Sequence, residues 1–377
     1  MPVSLYVDCV CGNYVGAVAE GDKLVEYRIE KKNATVPIGS VFKGRVENVL
    51  GGMQAAFVNV GLPRNGYLSA DDMLMDRSEI ECRVEIPSVL DLKVGDEIMV
   101  QAVKDPAGNK GVRLTSHISF AGRYVVYLPT FSFVGVSRKI TDDKTRDRLL
   151  KIAEKFRPKD RGIIIRTAGE NAKKGEIKRE IKYLKEQFEE IEENFVSAPP
   201  TSCIYEEGNV GIRLLRDVYT EDVEKFVVSD KELFDKLMLY AKRRDNALKS
   251  KLKFFDKKVD MFRYYGLSES VDNMLSSSVS LENGAYIVID KTEAMTVIDV
   301  NTGKFTGEDN LEDTVYRTNL LAAVEIARQL RLRNIAGIIV VDFIDMTEEK
   351  HRTELLRVLS DELMLDREKC QVIGMTP

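Results

Sequence analysis

The stretch from Ala294 to Met346 leaves this chain few ways to fold. It opens AMTVIDVNTGKFTG and closes GIIVVDFIDM. Each end reads as a short apolar strand that stops at a carboxylate, and a helical pattern lies between them, from about Leu311 to Leu332. Strand, helix, strand in that order predicts two parallel strands joined by a right-handed crossover. In an open α/β sheet the functional crevice lies at the carboxyl ends of the strands. Asp299 and Asp342 both sit at such ends. Side-chain alternation puts Met295, Val297 and Asp299 on one face, and likewise Ile338, Val340 and Asp342. If the two strands are neighbours, the carboxylates converge.

Two converging carboxylates repel unless a proton or cation sits between them. A hard divalent ion suits them: Mg²⁺ commonly takes one or two protein carboxylates and completes its shell with water and phosphate oxygens. That donor set suits phosphodiester hydrolysis. Asn301, one pleat beyond Asp299 on the same face, is placed to orient a water or the scissile phosphate. For any single aspartate the plainer reading is a strand-end turn residue. Asp345 reads both ways, as a further site carboxylate or only as a cap, because Asp345 followed by Glu348 resembles a capping box for a helix from about Thr347 to Arg367.

IDVNTGKFTG, NLEDTVYRTNLLAAVEIARQLRLRN and GIIVVDFIDM together closely resemble the catalytic core of the ribonuclease E/G family, with NTGKFTG closer to its ribonuclease G branch. The resemblance extends over nearly the whole chain. It implies that Asp299 and Asp342 hold a catalytic Mg²⁺, with Mn²⁺ as the alternative ion, and that Asn301 assists them. It also implies a multidomain α+β and α/β fold. The expected order begins with the opening segment of a ribonuclease-H-like subdomain (residues 1–37) and an OB-fold RNA-binding barrel of the ribosomal S-one type (residues 38–116). A 5′-sensor subdomain follows (residues 117–204), then the remainder of the ribonuclease-H-like subdomain (residues 205–278). A DNase-I-like catalytic subdomain, incomplete at its C-terminus, closes the chain (residues 279–377).

The rest of the chain fits a soluble protein. At 377 residues it can form two or more domains with substantial cores. No apolar run reaches transmembrane length, and MPVSLYVDCV lacks the basic region and apolar core of a secretory leader. Five scattered cysteines, Cys9, Cys11, Cys82, Cys203 and Cys370, favour a reducing cytoplasm. Cys9 and Cys11 are too close for the usual zinc spacing; two apart on a strand, they would be small packing residues on the same side. The net charge of −5 does not advertise nucleic-acid binding, but its distribution does. Residues 138–185 carry 17 Lys and Arg against 8 Asp and Glu, and residues 240–263 carry 9 against 3. Such segments can form footprints for phosphates, though solvated helix faces look the same.

In chain order, residues 1–36 alternate as a strand meander with a turn at Glu20-Gly21-Asp22. KGRV, Gly51-Gly52, AAFVNVG and NGYL are the marks of the barrel, which closes with LKVGDEIMVQAVKDPAGNKGVRLT. Such barrels stack bases on aromatic rings beside basic groups. The resemblance assigns the aromatic positions to Phe57 and Tyr67 and the basic ones to Lys104 and Lys110. Phe57 and Val58 alternate, so one of the two faces inwards; the residues leave open which, and the resemblance favours Phe57 outward. Beyond His117 come strands with a loop at Pro129, a helix from about Asp142 to Phe156, a buried strand in RGIIIRTAGE, and a charged helix from about Lys174 to Asn194. The resemblance assigns Arg166 and Thr167 to gripping a 5′-monophosphate, with Val136, Arg138 and Lys139 in the neighbouring segment. A guanidinium can bind phosphate bidentately; on the residues alone, Arg166 would be read as an exposed strand-end arginine. From Tyr205 the pattern is strand, helix, strand, helix. In the catalytic unit, Asn310 and Asp313 signal a helix start. Arg328, Arg331 and Arg333 suit the helix's negative end or RNA. Lys304 is a candidate phosphate contact.

The chain closes with QVIGMTP, read as a strand that continues in the family. The cysteine pair through which ribonuclease E-like members bind zinc between subunits has no counterpart here. No zinc site is expected within the chain, and a homo-oligomer of the full-length protein would not be zinc-linked through it. The expectation is a cytoplasmic Mg²⁺-dependent endoribonuclease acting on single-stranded RNA, preferring 5′-monophosphorylated substrates, in RNA processing and decay, without a membrane partner. The alternatives are a non-catalytic RNA-binding module or fragment, and a metal-dependent nuclease acting on DNA.

Overall fold

The structure is a computed structural model that describes residues 2–32, 38–70, 91–104, 111–220, 222–244, 246–303, 311–366 and 370–375. The chain forms two compact units, residues 1–32 with 219–377, and residues 33–218 between them in sequence. Among the described residues no helix is long and apolar enough to cross a membrane.

The first unit begins with an antiparallel meander, β1 (Val3–Val10), β2 (Asn13–Glu20) and β3 (Lys23–Lys31). Its first hairpin turns on Cys11 (φ 48°) and Gly12 (φ 74°). Two left-handed residues in a row match the twist of the strands they join. Cys11 is therefore an exposed turn residue and does not share a strand face with Cys9, as strand alternation had suggested.

The second unit opens with β4 (Val41–Leu50), β5 (Ala55–Asn59), β6 (Gly66–Ser69), β7 (Glu97–Lys104) and β8 (Arg113–Thr115). They pair in the order β4-β5-β6-β8-β7, and β7 pairs back to β4, which closes a five-stranded barrel. Alternate residues fill it: Phe42, Val46, Ala56, Val58, Leu68, Val100 and Leu114. Gly44 and Gly66 keep the interior open, since a Cβ would lie 2.5 Å from Val58 and 2.3 Å from Leu114.

Then come β9 (Phe120–Ala121), β10 (Val125–Leu128), β11 (Val134–Val136), α1 (Asp143–Phe156), β12 (Gly162–Ile165) and α2 (Lys174–Ser197). The sheet order is β11-β12-β10-β9. Leu149 and Ala153 of α1 and Ile177, Ile181, Leu184, Phe188 and Ile191 of α2 recur at helical spacing and share one core with it. Asp142 caps α1, its Oδ2 accepting the Thr145 amide at 2.8 Å. β13 (Ser202–Tyr205) pairs with β4, and α3 (Val210–Asp217) ends the unit.

Back in the first unit, β14 (Val223–Val228) lies parallel to β1. After α4 (Lys231–Arg244) and α5 (Asn246–Lys251), β15 (Leu252–Phe254) lies parallel to β14. The sheet order is β15-β14-β1-β2-β3. Two short helices, α6 (Met261–Tyr264) and α7 (Ser268–Leu275), lead to a second sheet of β16 (Ser278–Ser280), β17 (Tyr286–Lys291), β18 (Met295–Asn301) and β19 (Ile338–Asp342) in that order. β17 and β18 are antiparallel, while β18 and β19 are parallel and linked by α8 (Leu311–Leu332). One face of this sheet, with Ile287, Ile289, Ile298 and Val300, packs on Ala322, Ile326 and Leu330 of α8. The arginines at the end of α8 are engaged by backbone carbonyls: Arg328 reaches that of Leu24, Arg331 that of Val25 (3.3 Å) and Arg333 that of Ser276 (2.7 Å).

Two expectations for the end of the chain need correction. The last helix, α9, spans Glu349–Leu363 and its N-cap is Glu348, so Asp345 does not cap it. Glu312 of α8 instead braces the approach to α9: its carboxylate accepts the amides of Thr347 (3.1 Å) and Glu348 (3.2 Å), the Thr347 hydroxyl (2.7 Å) and a contact from His351 Nδ1 (3.1 Å). Residues 370–375 form no strand; Val372 packs instead on the cluster of Leu355 and Leu359.

Candidate functional site

β18 and β19 are in register with Asp299 directly opposite Asp342. Neighbouring strands lie about 4.8 Å apart, so the two side chains leave the same face side by side. The other face of β18, with Thr296, Ile298 and Val300, is buried, while Asp299 and Asp342 are exposed. Asn301 Nδ2 donates to Asp299 Oδ2 at 2.7 Å. No basic group among the described residues pairs with either carboxylate. Tyr286 of β17 stands opposite Asn301, half-buried on the same face; its place there is invisible in sequence because only the hairpin register brings it in.

Among the described residues no cluster of three or more His, Cys, Asp or Glu is gathered for a metal. The donor set is instead two adjacent, exposed, hard oxygen ligands without a basic partner among the described residues. That fits Mg²⁺, which keeps several waters and takes phosphate oxygens. Asp345 is exposed three residues beyond Asp342. Lys304 lies outside the described residues.

The first sheet of this unit offers a second pair of carboxylates at parallel strand ends, Asp8 and Asp230, and both are engaged. Asp8, at the end of β1, is buried, and its Oδ1 accepts the Ser229 hydroxyl at 2.6 Å and the Cys9 amide at 2.8 Å. Asp230, after β14, pairs with Lys32 at 2.5 Å and accepts the Leu233 amide at 2.8 Å at the start of α4. Burial would push the Asp230 carboxyl up, but Lys32 and the Leu233 amide hold it below its ordinary value.

The barrel carries a row across its outer surface. Val58 is buried, and Phe57 is half-exposed on the opposite side of β5. Phe57 stands opposite Tyr67, their rings edge-on at 5.9 Å. Tyr67 is in register with Arg113, and Arg113 with Lys104. Two aromatic rings therefore continue directly into two cations across four strands. Arg113 does not stand out in sequence, where it is one basic residue in GVRLT; the parallel β6–β8 pairing is what aligns it. Lys110 lies outside the described residues.

The third candidate region surrounds Arg166 and Thr167. β11 and β12 are parallel, with Val136 opposite Ile165, so the residues following each strand meet. Ser137 and Thr167 share a hydroxyl–hydroxyl hydrogen bond of 2.9 Å, and Ser137 Oγ accepts the Lys139 amide at 3.3 Å. Val136 is buried, whereas Arg138 and Lys139 are exposed, as is Thr167. Ser137 is the residue that sequence reasoning misses between its neighbours. Arg166 Nη1 donates to the Gly122 carbonyl and to Asp217 Oδ1, the latter at 2.7 Å. The loop holding Gly122 is itself anchored by Glu180 of α2, whose buried carboxylate accepts the amides of Arg123 (2.8 Å), Tyr124 (2.7 Å) and Val125 (3.1 Å).

The chain is similar in sequence to known proteins. The sequence profile of the Ribonuclease E/G family matches residues 119–377. A ribonuclease G from Haemophilus influenzae is 38% identical over 368 residues, covering 96% of this chain and 74% of that protein. A ribonuclease G from Escherichia coli is 36% identical over 365 residues, covering 96% and 75%. A ribonuclease E from Nostoc sp. is 35% identical over 344 residues, covering 90% of this chain and 50% of that protein.

Proposed function

The chain belongs to the ribonuclease E/G family, and we propose that it is a Mg²⁺-dependent endoribonuclease that cleaves single-stranded RNA in cytoplasmic RNA processing and decay, with a preference for 5′-monophosphorylated substrates. The observation that carries the chemistry is the rung on which Asp299 and Asp342 stand side by side without a basic partner among the described residues. Like charges held together on an otherwise well-packed sheet cost stability unless a proton or a cation completes them, and two hard oxygen donors at a phosphodiester site suit the cation. When bound, Mg²⁺ supplies activation of a water and neutralisation of charge on the phosphate. Asp299 and Asp342 hold the ion. The Asn301 amide fixes the orientation of the Asp299 carboxylate, and its oxygen, without a partner among the described residues, can orient water or the scissile phosphate. Hydrolysis in this sense leaves 5′-phosphate and 3′-hydroxyl ends.

The barrel row supports a role in holding substrate. Phe57 and Tyr67 offer ring faces and edges to bases, while Arg113 and Lys104 lie beside them for the backbone. The strand order β15-β14-β1-β2-β3 supports a ribonuclease-H-like sheet whose carboxylates serve the fold and not the reaction. The Ser137–Thr167 hydroxyl pair beside Arg166 supports the assignment of a 5′-phosphate pocket.

The test is cleavage of a short 5′-monophosphorylated, A/U-rich single-stranded RNA, with Mg²⁺ and with chelator, by wild type and Asp342→Asn. Loss of cleavage in both controls supports the assignment. Cleavage by folded Asp342→Asn at the wild-type rate would overturn it. Binding without cleavage by the wild-type protein in Mg²⁺ would favour a non-catalytic RNA-binding module. Tyr67→Ala should weaken RNA binding by about 1–3 kcal/mol, the worth of one base–aromatic stack.

A further inference from the structure

Arg166 follows β12 directly, and its side chain is about one-third exposed, at 30%. Its guanidinium is used unevenly. Nη1 makes both of its hydrogen bonds, to the Gly122 carbonyl and to Asp217 Oδ1, whereas Nε and Nη2 have no partner among the described residues. The Nε–Nη2 edge is one of the forked edges that match a phosphate with two parallel hydrogen bonds.

Asp217 is oddly placed for a residue serving only its own helix. It is the last residue of α3, where the negative end of the helix dipole disfavours a carboxylate. It is nevertheless held there. Arg216 grips both of its oxygens, Nε to Oδ1 at 3.2 Å and Nη2 to Oδ2 at 3.1 Å. Arg216 is in turn fixed by Glu207 Oε1 at 2.7 Å. All three side chains are at most 15% exposed. The arrangement is a chain of alternating charge, Glu207–Arg216–Asp217–Arg166, that ends on the guanidinium.

We infer that Asp217 is a positioning residue for 5′-phosphate recognition: it clamps Nη1 of Arg166 against the Gly122 carbonyl and so presents the Nε–Nη2 edge to the terminal phosphate of the RNA. The inference rests on the assignment of Arg166 to that phosphate. The clamp aims Arg166 without competing for the edge the phosphate needs. It is also steady in pH, since burial pushes the Asp217 carboxyl up but Arg216, and then Arg166, hold it below its ordinary value. An arginine with a free side chain would lose rotamer freedom on binding phosphate; a clamped one has lost it already.

The experiment compares two RNAs of one sequence, one with a 5′-monophosphate and one with a 5′-hydroxyl, by steady-state kinetics. For Asp217→Asn, the ratio of kcat/KM between the two RNAs should fall on the order of tenfold, through a raised KM for the monophosphorylated RNA. A merely structural Asp217 would lower kcat/KM for both RNAs in parallel and leave the ratio intact, which would overturn the inference. Should Asp217→Asn fail to fold, Asp217→Glu keeps the charge and shifts the carboxylate by one methylene; it should raise the same KM by a smaller factor, and an unchanged KM would overturn the inference. Arg166→Gln separates the two levels. If it abolishes the preference while both Asp217 variants keep it, the pocket assignment stands and the clamp fails. If Arg166→Gln keeps the preference, the assignment and the inference fall together.

Discussion

Two sheets of the same unit end parallel strands in aspartates, and the surroundings of the two sets are opposite. Asp8 and Asp230 sit where β1 and β14 finish, and each is met by a hydroxyl, an amide or a lysine. Asp299 and Asp342 sit where β18 and β19 finish, exposed and opposite one another, with the Asn301 amide as their one hydrogen-bond partner among the described residues. Position at a strand end is thus no guide to catalysis. What distinguishes the sets is whether the protein itself completes the carboxylate. A completed carboxylate contributes to folding, while an incomplete one burdens the fold and keeps its oxygens for a ligand.

The sharpest way to break this contrast is Asp342→Asn. It should lower kcat by at least about 10³-fold, roughly 4 kcal/mol of barrier, while the thermal midpoint stays level or rises, because one of two adjacent like charges is gone. Kinetics and a melting curve on the same preparation decide it; a large loss of stability would mean that the rung is structural after all. Next in size, Asp230→Ala should cost about 2 kcal/mol in chemical denaturation, from a lost helix cap and a lost charged hydrogen bond. Its folded fraction should cleave RNA at the wild-type rate. Failure to cleave, with stability intact, would invert the comparison.

The pH dependence of that second variant sharpens the point. The folded Asp230 carboxyl lies below its ordinary value, so its contribution is present above the unfolded value. It is lost as pH falls through the folded one. The stability gap between wild type and Asp230→Ala should therefore be widest near neutrality and close in acid. Glu312→Gln should show the smallest effect. The Thr347 hydroxyl and amide, then His351, hold the Glu312 carboxyl down at about 2. Melting of wild type and variant should differ at pH 7 and converge between about pH 5 and pH 2. A gap that widens in acid would show that the Glu312 carboxylate does not hold the approach to α9.

The parts legible in sequence were those with a short period. The apolar runs ending in Asp299 and Asp342, with a helical pattern between, specify a parallel strand pair, and α8 spans Leu311–Leu332, the range that pattern predicts. Strand alternation determines that Asp299 and Asn301 share a face, and α2 begins at Lys174 where its spacing begins. Alternation also narrowed the inward residue of β5 to Phe57 or Val58, because neighbours on a strand point to opposite sides. What the sequence could not set out was which side chains from distant segments meet. Arg113 joined Phe57, Tyr67 and Lys104 only through barrel register. Glu312 reached the approach to α9 from 36 residues before Glu348. Asp217 met Arg166 from 51 residues away. Local sequence determines periodicity because it acts through the backbone's own repeat. Partners of a charge are decided by the tertiary fold, because any one carboxylate can be completed by many donors and only packing selects which one arrives.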